Sequence, residues 1–150
     1  MENAIKYMFG FLVLLGCNAT VEKDKAEVEK TLAAYKAGVE SLSTKDLSTL
    51  FVPESQIYES GSDEGSFDHY LDHHLAPELK QFESFDFNDY SVSTVVDPPY
   101  AFATESYVFK IVLAKSGQVI EKRGIATSVL KKIDGKWKIL KTHSSSRAKK

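Results

Sequence analysis

The spacing of apolar residues predicts helices in the first half of the chain and strands in the second half. Apolar residues recur at steps of four and three between residues 21 and 43, which is the period of one face of an α-helix. We therefore predict one long amphipathic helix with a single buried stripe, made of Val28, Leu32, Tyr35, Val39 and Leu42.

Shorter elements follow this helix. A second, short helix is predicted over residues 47–51, ended by Pro53, and a short strand over residues 56–60. After the glycine-rich turn at 61–65, Ser66 is placed to cap a third helix. The apolar face of this third helix consists of Phe67, Tyr70, Leu71, His74 and Leu75.

From residue 85 the apolar period changes to two, which is typical of strands. Strands are predicted over residues 85–96, 100–115, 119–133 and 136–145, and the dipeptides Ser116-Gly117 and Asp134-Gly135 mark tight hairpin turns. One face of such an antiparallel sheet must be covered, and the predicted helices are the only cover available. The sequence therefore predicts an α+β fold, with a curved antiparallel sheet wrapped around the N-terminal helices.

The first 16 residues have the layout of a secretory signal peptide. Lys6 precedes an apolar run over residues 7–16, about half of the roughly 20 residues that a membrane-spanning helix needs. The run ends in Leu-Leu-Gly-Cys, which resembles the bacterial lipobox, in which the cysteine is lipidated and the chain is cut before it. We expect a lipid anchor on Cys17, a tether over 17–21, a domain over 22–147 and a basic tail over 148–150.

This anchor predicts membrane attachment in the cell envelope. Asn18 is not the aspartate that retains lipoproteins in the inner membrane of enteric bacteria, which favours the periplasmic side of the outer membrane. Cys17 is also the chain's one cysteine, so the domain forms no internal disulfide. The fold must therefore be stabilised by its core.

Charge is distributed unevenly along the chain. Residues 17–109 contain 18 acidic and 6 basic side chains, whereas residues 110–150 contain 2 acidic and 12 basic ones. We interpret this as two halves that pack together, so that their charges largely compensate. Basic and aromatic residues do not alternate as they do in single-strand-binding proteins, and we expect no nucleic-acid partner.

The order of elements and four stretches of sequence resemble the NTF2-like superfamily, specifically its SnoaL-like or DUF4440-type branch. The stretches are SLSTKDLSTLF at 41–51, IYESG at 57–61, SFDHYLDHHLAPEL at 66–79 and DGKWKILKTHSSSR at 134–147. The resemblance implies a conical half-barrel with a pocket between sheet and helices, and homodimerisation through the sheet. The superfamily includes ketosteroid isomerase-like and cyclase-like enzymes as well as pocket-bearing proteins of other roles, so this fold does not decide the function.

Histidines provide the most unusual chemistry in the chain. His69 and His73 are four residues apart on the predicted third helix, so they share a face and could bind one divalent metal ion. His74 lies on the apolar face, pointing into the predicted pocket, and His143 lies on the last strand, where it could meet His73 or His74. A solvated polar face, or a hydrogen-bonded core histidine, is the structural alternative.

Isomerase-type chemistry would need a carboxylate base in an apolar pocket and a donor that stabilises the developing oxyanion. Tyr58, Glu59, Asp89 and Glu105 are the candidates. Neighbouring residues on a strand face opposite sides, so at most one of Tyr58 and Glu59 points into the pocket.

We therefore expect a lipid-anchored protein that binds a small, mostly apolar molecule without catalysis and without a cofactor. The candidate pocket residues are Tyr58, Glu59, His73, His74 and His143. A ketosteroid isomerase-like or cyclase-like enzyme is the alternative, and divalent metal binding by His69 and His73 is a second one.

Overall fold

The computed structural model describes the backbone of residues 2–148 and the side chains of residues 19–148. The side chains of the predicted signal peptide and of Cys17 lie outside the described residues, as do residues 149–150 of the predicted tail. In the part of the chain that is described, no helix combines the length and hydropathy of a membrane span.

Helix α1 is Glu2–Glu40, and the predicted apolar stripe packs into the core between this helix and the sheet. Val28, Leu32 and Val39 are buried there. The helix ends slightly earlier than residue 43, because Leu42 adopts a left-handed conformation with a φ of 53°. The N–H groups of Leu42 and Ser43 then bond back to the carbonyls of Val39 and Gly38, each at 3.0 Å, which closes the last turn.

The segment after α1 differs from the prediction. A short 3-10 helix, Leu47–Leu50, is followed directly by strand β1, Phe51–Glu59, so Phe51 begins a strand and does not end a helix. Phe51 stacks on Phe67 with ring centroids 3.6 Å apart, and this core contact outweighs the local helical pattern. Pro53 is tolerated in β1 because the pairing with the neighbouring strand is interrupted between positions 51 and 56.

The third predicted helix is present in three consecutive turns. Strand β2, Ser62–Gly65, forms in the region predicted as a turn and leads into α2, Phe67–Tyr70. The predicted cap is confirmed, since the Ser66 hydroxyl accepts a hydrogen bond from the His69 N–H at 3.3 Å. A wider π-helical turn, Leu71–Leu75, follows, and α3, Ala76–Leu79, begins at the predicted proline break.

Four long antiparallel strands complete the fold. They are β3 Phe82–Asp97, β4 Tyr100–Leu113, β5 Val119–Ile133 and β6 Lys136–Ala148, and the sheet order is β2-β1-β6-β5-β4-β3. Strand β1 pairs with β6 in parallel, which brings the N-terminal and C-terminal halves of the domain together. The sheet curves around α1, and the predicted α+β architecture is confirmed.

One end of this cone is closed by a polar contact between helix and sheet. Asp24 on α1 is buried, accepts a hydrogen bond from the Trp137 indole at 3.1 Å and forms an ion pair with Lys132. The Lys132 ammonium lowers the pKa of the Asp24 carboxyl. This acidic residue of the first half therefore meets a lysine of the basic second half.

Candidate functional site

A cavity of about 390 Å³ lies between α1, the segment from α2 to α3 and the concave face of the sheet. This volume is at the lower end of the range of small-molecule sites. Part of its lining is aliphatic or polar, with Lys36, Glu59, Glu78 and Glu105 among the charged groups. Nine aromatic side chains also line it: Tyr35, Phe51, Tyr70, Phe82, Phe85, Phe87, Tyr90, Tyr107 and Phe109. Such a wall favours a ligand with a large apolar surface.

Glu105 on β4 is the most enclosed carboxyl group of the cavity. The Tyr90 hydroxyl donates a hydrogen bond to Glu105 Oε1 at 2.7 Å. Burial raises the pKa of the Glu105 carboxyl, although the hydrogen bond from Tyr90 acts in the opposite direction. Two residues further along β4, Tyr107 faces the same cavity, and burial together with Glu105 raises its pKa to about 12.

A second carboxyl–tyrosine pair lies on the other side of the cavity. The Tyr70 hydroxyl donates to Glu59 Oε2 at 2.9 Å. His74 stands beside this pair, with its Nε2 atom 3.9 Å from Glu59 Oε2 and 3.4 Å from Glu78 Oε1. Its Nδ1 atom is 3.3 Å from Glu64 Oε2, so three carboxylates surround one imidazole.

The protonation of His74 reflects these neighbours. Burial of the ring disfavours the charged form, but the hydrogen bond to Glu64 and the negative charges of Glu78 and Glu59 outweigh it and raise the pKa of His74. Glu59 and Glu78 line the cavity. The imidazole therefore links the rim of the cavity to β2 through Glu64.

The predicted pocket residues occupy three different places. Glu59 lines the cavity and His74 contacts its rim. Tyr58 and His143 are register partners on the opposite face of the sheet, where they line a shallow depression with Gly61 and Ser62. Tyr58 and His143 were expected in the pocket, but they lie outside it. Side chains alternate along a strand, and their neighbours Glu59 and Ser144 take the inward positions.

The remaining histidines are exposed on the helical segment. The rings of His69 and His73 are 4.5 Å apart, and His69 Nδ1 lies 3.1 Å from the Glu64 carbonyl oxygen. Among the described residues, no group of three or more histidine, cysteine, aspartate or glutamate side chains is arranged to hold a metal ion. Metal binding by this histidine pair stays a prediction.

Sequence patterns did not identify Tyr90 as a polar group of the cavity. Tyr90 faces inward because the β3–β4 pairing shifts between Asn88 and Ser91, where Asp89 adopts a φ of 50°. The bulge adds one residue to β3, so the side chains that follow it change faces. Counting every second residue from Phe87 would therefore place Tyr90 outside the cavity, although it lies inside. Asp89 itself is exposed and does not line the cavity.

Tyr107 was detectable in principle, since it lies two residues after Glu105 on one predicted strand. Opposite Tyr107 on β5 is Gly124, and a Cβ atom at this glycine would lie 2.3 Å from Tyr107 Cε2. The missing side chain therefore allows the Tyr107 ring to lean over β5.

Comparison with known proteins identifies this fold and its family. The family model described as a SnoaL-like domain matches residues 28–149. No curated protein sequence matches the chain.

Several solved structures share the fold at low sequence identity. An NTF2-like superfamily protein from Salmonella enterica is 20% identical, with a TM-score of 0.73 over 88% of this chain and 94% of that one. A proposed scytalone dehydratase from Novosphingobium aromaticivorans is 16% identical, with a TM-score of 0.74 over 87% and 88%. A proposed ketosteroid isomerase from Shewanella frigidimarina is 21% identical, with a TM-score of 0.67 over 79% and 94%. At these identities the likeness shows the NTF2-like fold alone.

Proposed function

We propose that this chain, which belongs to the SnoaL-like domain family, binds a small, mostly apolar molecule in the cavity between α1 and the sheet. The observation that carries the proposal is a cavity of about 390 Å³ in which nine aromatic side chains and several aliphatic ones provide the apolar surface beside a set of polar groups. Binding sites of this kind combine apolar walls with a small number of orienting polar groups. Here the Glu105–Tyr90 and Glu59–Tyr70 pairs are the orienting groups.

Filling the cavity tests this proposal. Ala126 lies on the inward face of β5 and lines the cavity, so Ala126→Leu should place extra bulk where the ligand binds. Thr127→Leu is the matched control, because Thr127 points outward from the same strand and is exposed. Native mass spectrometry of the full chain purified from its host should show a retained small molecule in the wild type and in Thr127→Leu, and a strongly reduced fraction in Ala126→Leu. Equal retention in both variants would contradict the proposal.

Acid–base catalysis of the isomerase or dehydratase type is a second candidate function. It is favoured by Glu105, a carboxyl group whose pKa is raised by burial and which lies beside two tyrosine hydroxyl groups. A carboxylate could remove a proton next to a carbonyl group while a tyrosine hydroxyl stabilises the developing negative charge.

Proton exchange tests this second function without knowledge of the substrate. In D₂O, an enzyme of this type should accelerate deuterium incorporation next to the carbonyl of a cyclic ketone such as 2-cyclohexenone, followed by NMR. Glu105→Gln should abolish the acceleration, and Glu83→Gln, at an exposed position of β3, should preserve it. Exchange at the uncatalysed rate in the wild type would argue against catalysis on simple ketones.

Lipid anchoring at Cys17 is the part of the proposal that concerns location. It rests on the short apolar run and the Leu-Leu-Gly-Cys sequence, which together favour an exported lipoprotein, and Asn18 favours the periplasmic side of the outer membrane. Two or more acyl chains would hold the protein stably at a membrane. Labelling with an alkyne fatty acid should mark the wild type and leave Cys17→Ser unlabelled, and labelling of both would overturn the anchor.

A homodimer through the outer face of the sheet completes the proposal. Val95, Phe102 and Ile125 on this face are 64%, 50% and 50% exposed, and an apolar surface of this kind favours association. Phe102→Lys should convert a dimer to a monomer in light-scattering measurements of mass. Val119→Lys is the control, since Val119 is 53% exposed at the far end of β5 and should leave the dimer intact. A wild-type monomer would exclude this interface.

A further inference from the structure

Four side chains form one row across the concave face of the sheet. Glu59 on β1 pairs with Ser144 on β6, Ser144 with Ala126 on β5, and Ala126 with Glu105 on β4. All four line the cavity. Neighbouring strands lie about 4.8 Å apart, so the two glutamates stand about 14 Å apart along the sheet and closer across its concave side. Small side chains occupy the space between them.

Within the part of the chain that the structure describes, each glutamate of this row accepts a hydrogen bond through one of its two oxygens. Glu105 Oε1 accepts the hydrogen bond from Tyr90, and Glu59 Oε2 accepts the one from Tyr70 and faces His74. Glu105 Oε2 and Glu59 Oε1 have no hydrogen-bond partner among the described residues. Both glutamates are partly exposed where they line the cavity, so water or a donor group of a ligand can reach the second oxygen.

Two tyrosine side chains lie within electrostatic reach of both carboxyl groups. Burial and the charges of Glu59 and Glu105 raise the pKa of Tyr35, and the same influences raise that of Tyr107. Tyr35 projects from α1 and Tyr107 from β4, so the space between the glutamates is bounded by aromatic groups from the helix and from the sheet. This space suits a flat apolar body.

We propose that the ligand is a rigid, mostly apolar molecule with a hydrogen-bond donor at each end, bound across the strands from Glu59 to Glu105. The proposal rests on the ligand-binding function given above and names the chemical class of the ligand. The apolar body lies over Ser144 and Ala126, and a hydroxyl or amino group at each end donates to the unused oxygen of one glutamate. The tyrosine partners hold each carboxyl group in position from outside the row.

Ligands that differ only in the number of donors test this proposal. Biphenyl, 4-hydroxybiphenyl and 4,4′-dihydroxybiphenyl are titrated calorimetrically into the purified full chain in one detergent, and each Kd is corrected with the separately measured partition coefficient of that compound into the micelles. Hydrogen bonds to charged groups are worth enough for each hydroxyl to lower Kd about tenfold or more. The dihydroxy compound should therefore bind most tightly and biphenyl least tightly.

Variants of the two glutamates assign each hydroxyl to its end. Methionine preserves the length of the side chain and removes both oxygens, so Glu59→Met and Glu105→Met should each bind the dihydroxy compound about as weakly as the wild type binds the monohydroxy one. Neither variant should lose affinity for biphenyl by the factor that it loses for the dihydroxy compound, because biphenyl has no donor for a carboxyl group. Glu54→Met is the matched control, because Glu54 is exposed on the same strand as Glu59 and should change none of the three affinities.

Three outcomes would overturn the two-ended ligand. If biphenyl binds and the second hydroxyl does not tighten binding to the wild type, the row does not recognise two donors, while the apolar cavity function stands. If the methionine variants lose affinity for biphenyl and for its dihydroxy form by the same factor, the glutamates do not act as acceptors for the ligand. If none of the three compounds binds, this inference and the proposed function both fail. The wild-type comparison needs no substitution, so it holds even if a variant misfolds.

Discussion

Replacing Asp24 by alanine tests how helix α1 is attached to the closed end of the cone. The Asp24 side chain is 4% exposed, accepts a hydrogen bond from Trp137 Nε1 at 3.1 Å and pairs with Lys132, whose side chain is 29% exposed. Trp137 is itself buried, so its N–H group has no access to water when the carboxylate is removed. Lys132 can turn toward solvent. The two partners therefore respond differently to the same substitution.

The loss of stability follows from these two partners. A buried donor left without an acceptor costs about 1–3 kcal/mol, and the partly exposed ion pair contributes up to about 1 kcal/mol. Alanine favours the helix by about 0.5 kcal/mol relative to aspartate, which leaves a net loss of about 0.5–3.5 kcal/mol, centred on about 2 kcal/mol. Urea denaturation followed by circular dichroism measures this free energy of unfolding.

Glu27→Ala on the same helix is the control. The Glu27 carboxyl is 3.9 Å from the Lys23 ammonium, and the two side chains are 38% and 75% exposed, so its removal should cost no more than about 0.5 kcal/mol. An Asp24→Ala variant as stable as Glu27→Ala would refute the assignment of Asp24 as the buried attachment of α1.

The stability difference between the wild type and Asp24→Ala should depend on pH. Lys132 lowers the pKa of Asp24 in the folded state relative to about 3.9 in the unfolded chain, so the ionised carboxylate stabilises the fold at higher pH. The difference in unfolding free energy between wild type and Asp24→Ala should be constant from about pH 7 to pH 5 and shrink as the pH falls below about 4. A difference that stays constant down to pH 2 would show that the charge contributes nothing.

Three further predictions concern the site and its surroundings. Ser66→Ala removes the cap of α2 and should lower the free energy of unfolding by about 1 kcal/mol, measured by urea denaturation, whereas Ser66→Asp should restore it. Gly124→Ala would place a Cβ atom 2.3 Å from Tyr107 Cε2, so the Tyr107 ring must move. Binding of 4,4′-dihydroxybiphenyl should then weaken severalfold, as measured by calorimetry. Unchanged affinity would show that the position of this ring does not affect binding. The fold raises the pKa of His74, so the protonated imidazole stabilises the folded state below about pH 6.5, and this contribution is lost as the pH rises through the folded pKa. His74→Gln should therefore lower the free energy of unfolding more at pH 5.5 than at pH 9. Equal losses at both pH values would contradict this assignment.

The sequence predicted those elements whose pattern is local. The stripe that begins at Val28, the serine cap at Ser66 and the Asp134-Gly135 turn each depend on residues a few positions apart, and all three are present. Phe51 was assigned to a helix because its local neighbours fit one. Its stacking partner Phe67 is 16 residues away, and no local pattern reports such a contact.

The candidate site shows the same division. Alternation along β1 established that Tyr58 and Glu59 face opposite sides, but which of them faces inward depends on the curvature of the sheet around α1. The bulge at Asp89 shifted the inward phase of β3 and hid Tyr90, the hydrogen-bond partner of Glu105. A one-residue shift in a strand moves every later side chain to the other face, so the inward set cannot be obtained by counting alone.

The amino-acid sequence by itself determined the α+β class and the resemblance to the NTF2-like superfamily, because periods of 3.6 and 2 and tight-turn dipeptides are short-range properties of the chain. It also carries the whole argument for a lipid on Cys17. Only the tertiary structure decided that Glu59 and Glu105 share one row across four strands and that Tyr70 and Tyr90 hold them. These residues are far apart in the chain, and they meet because strand register and sheet curvature bring them to one concave face.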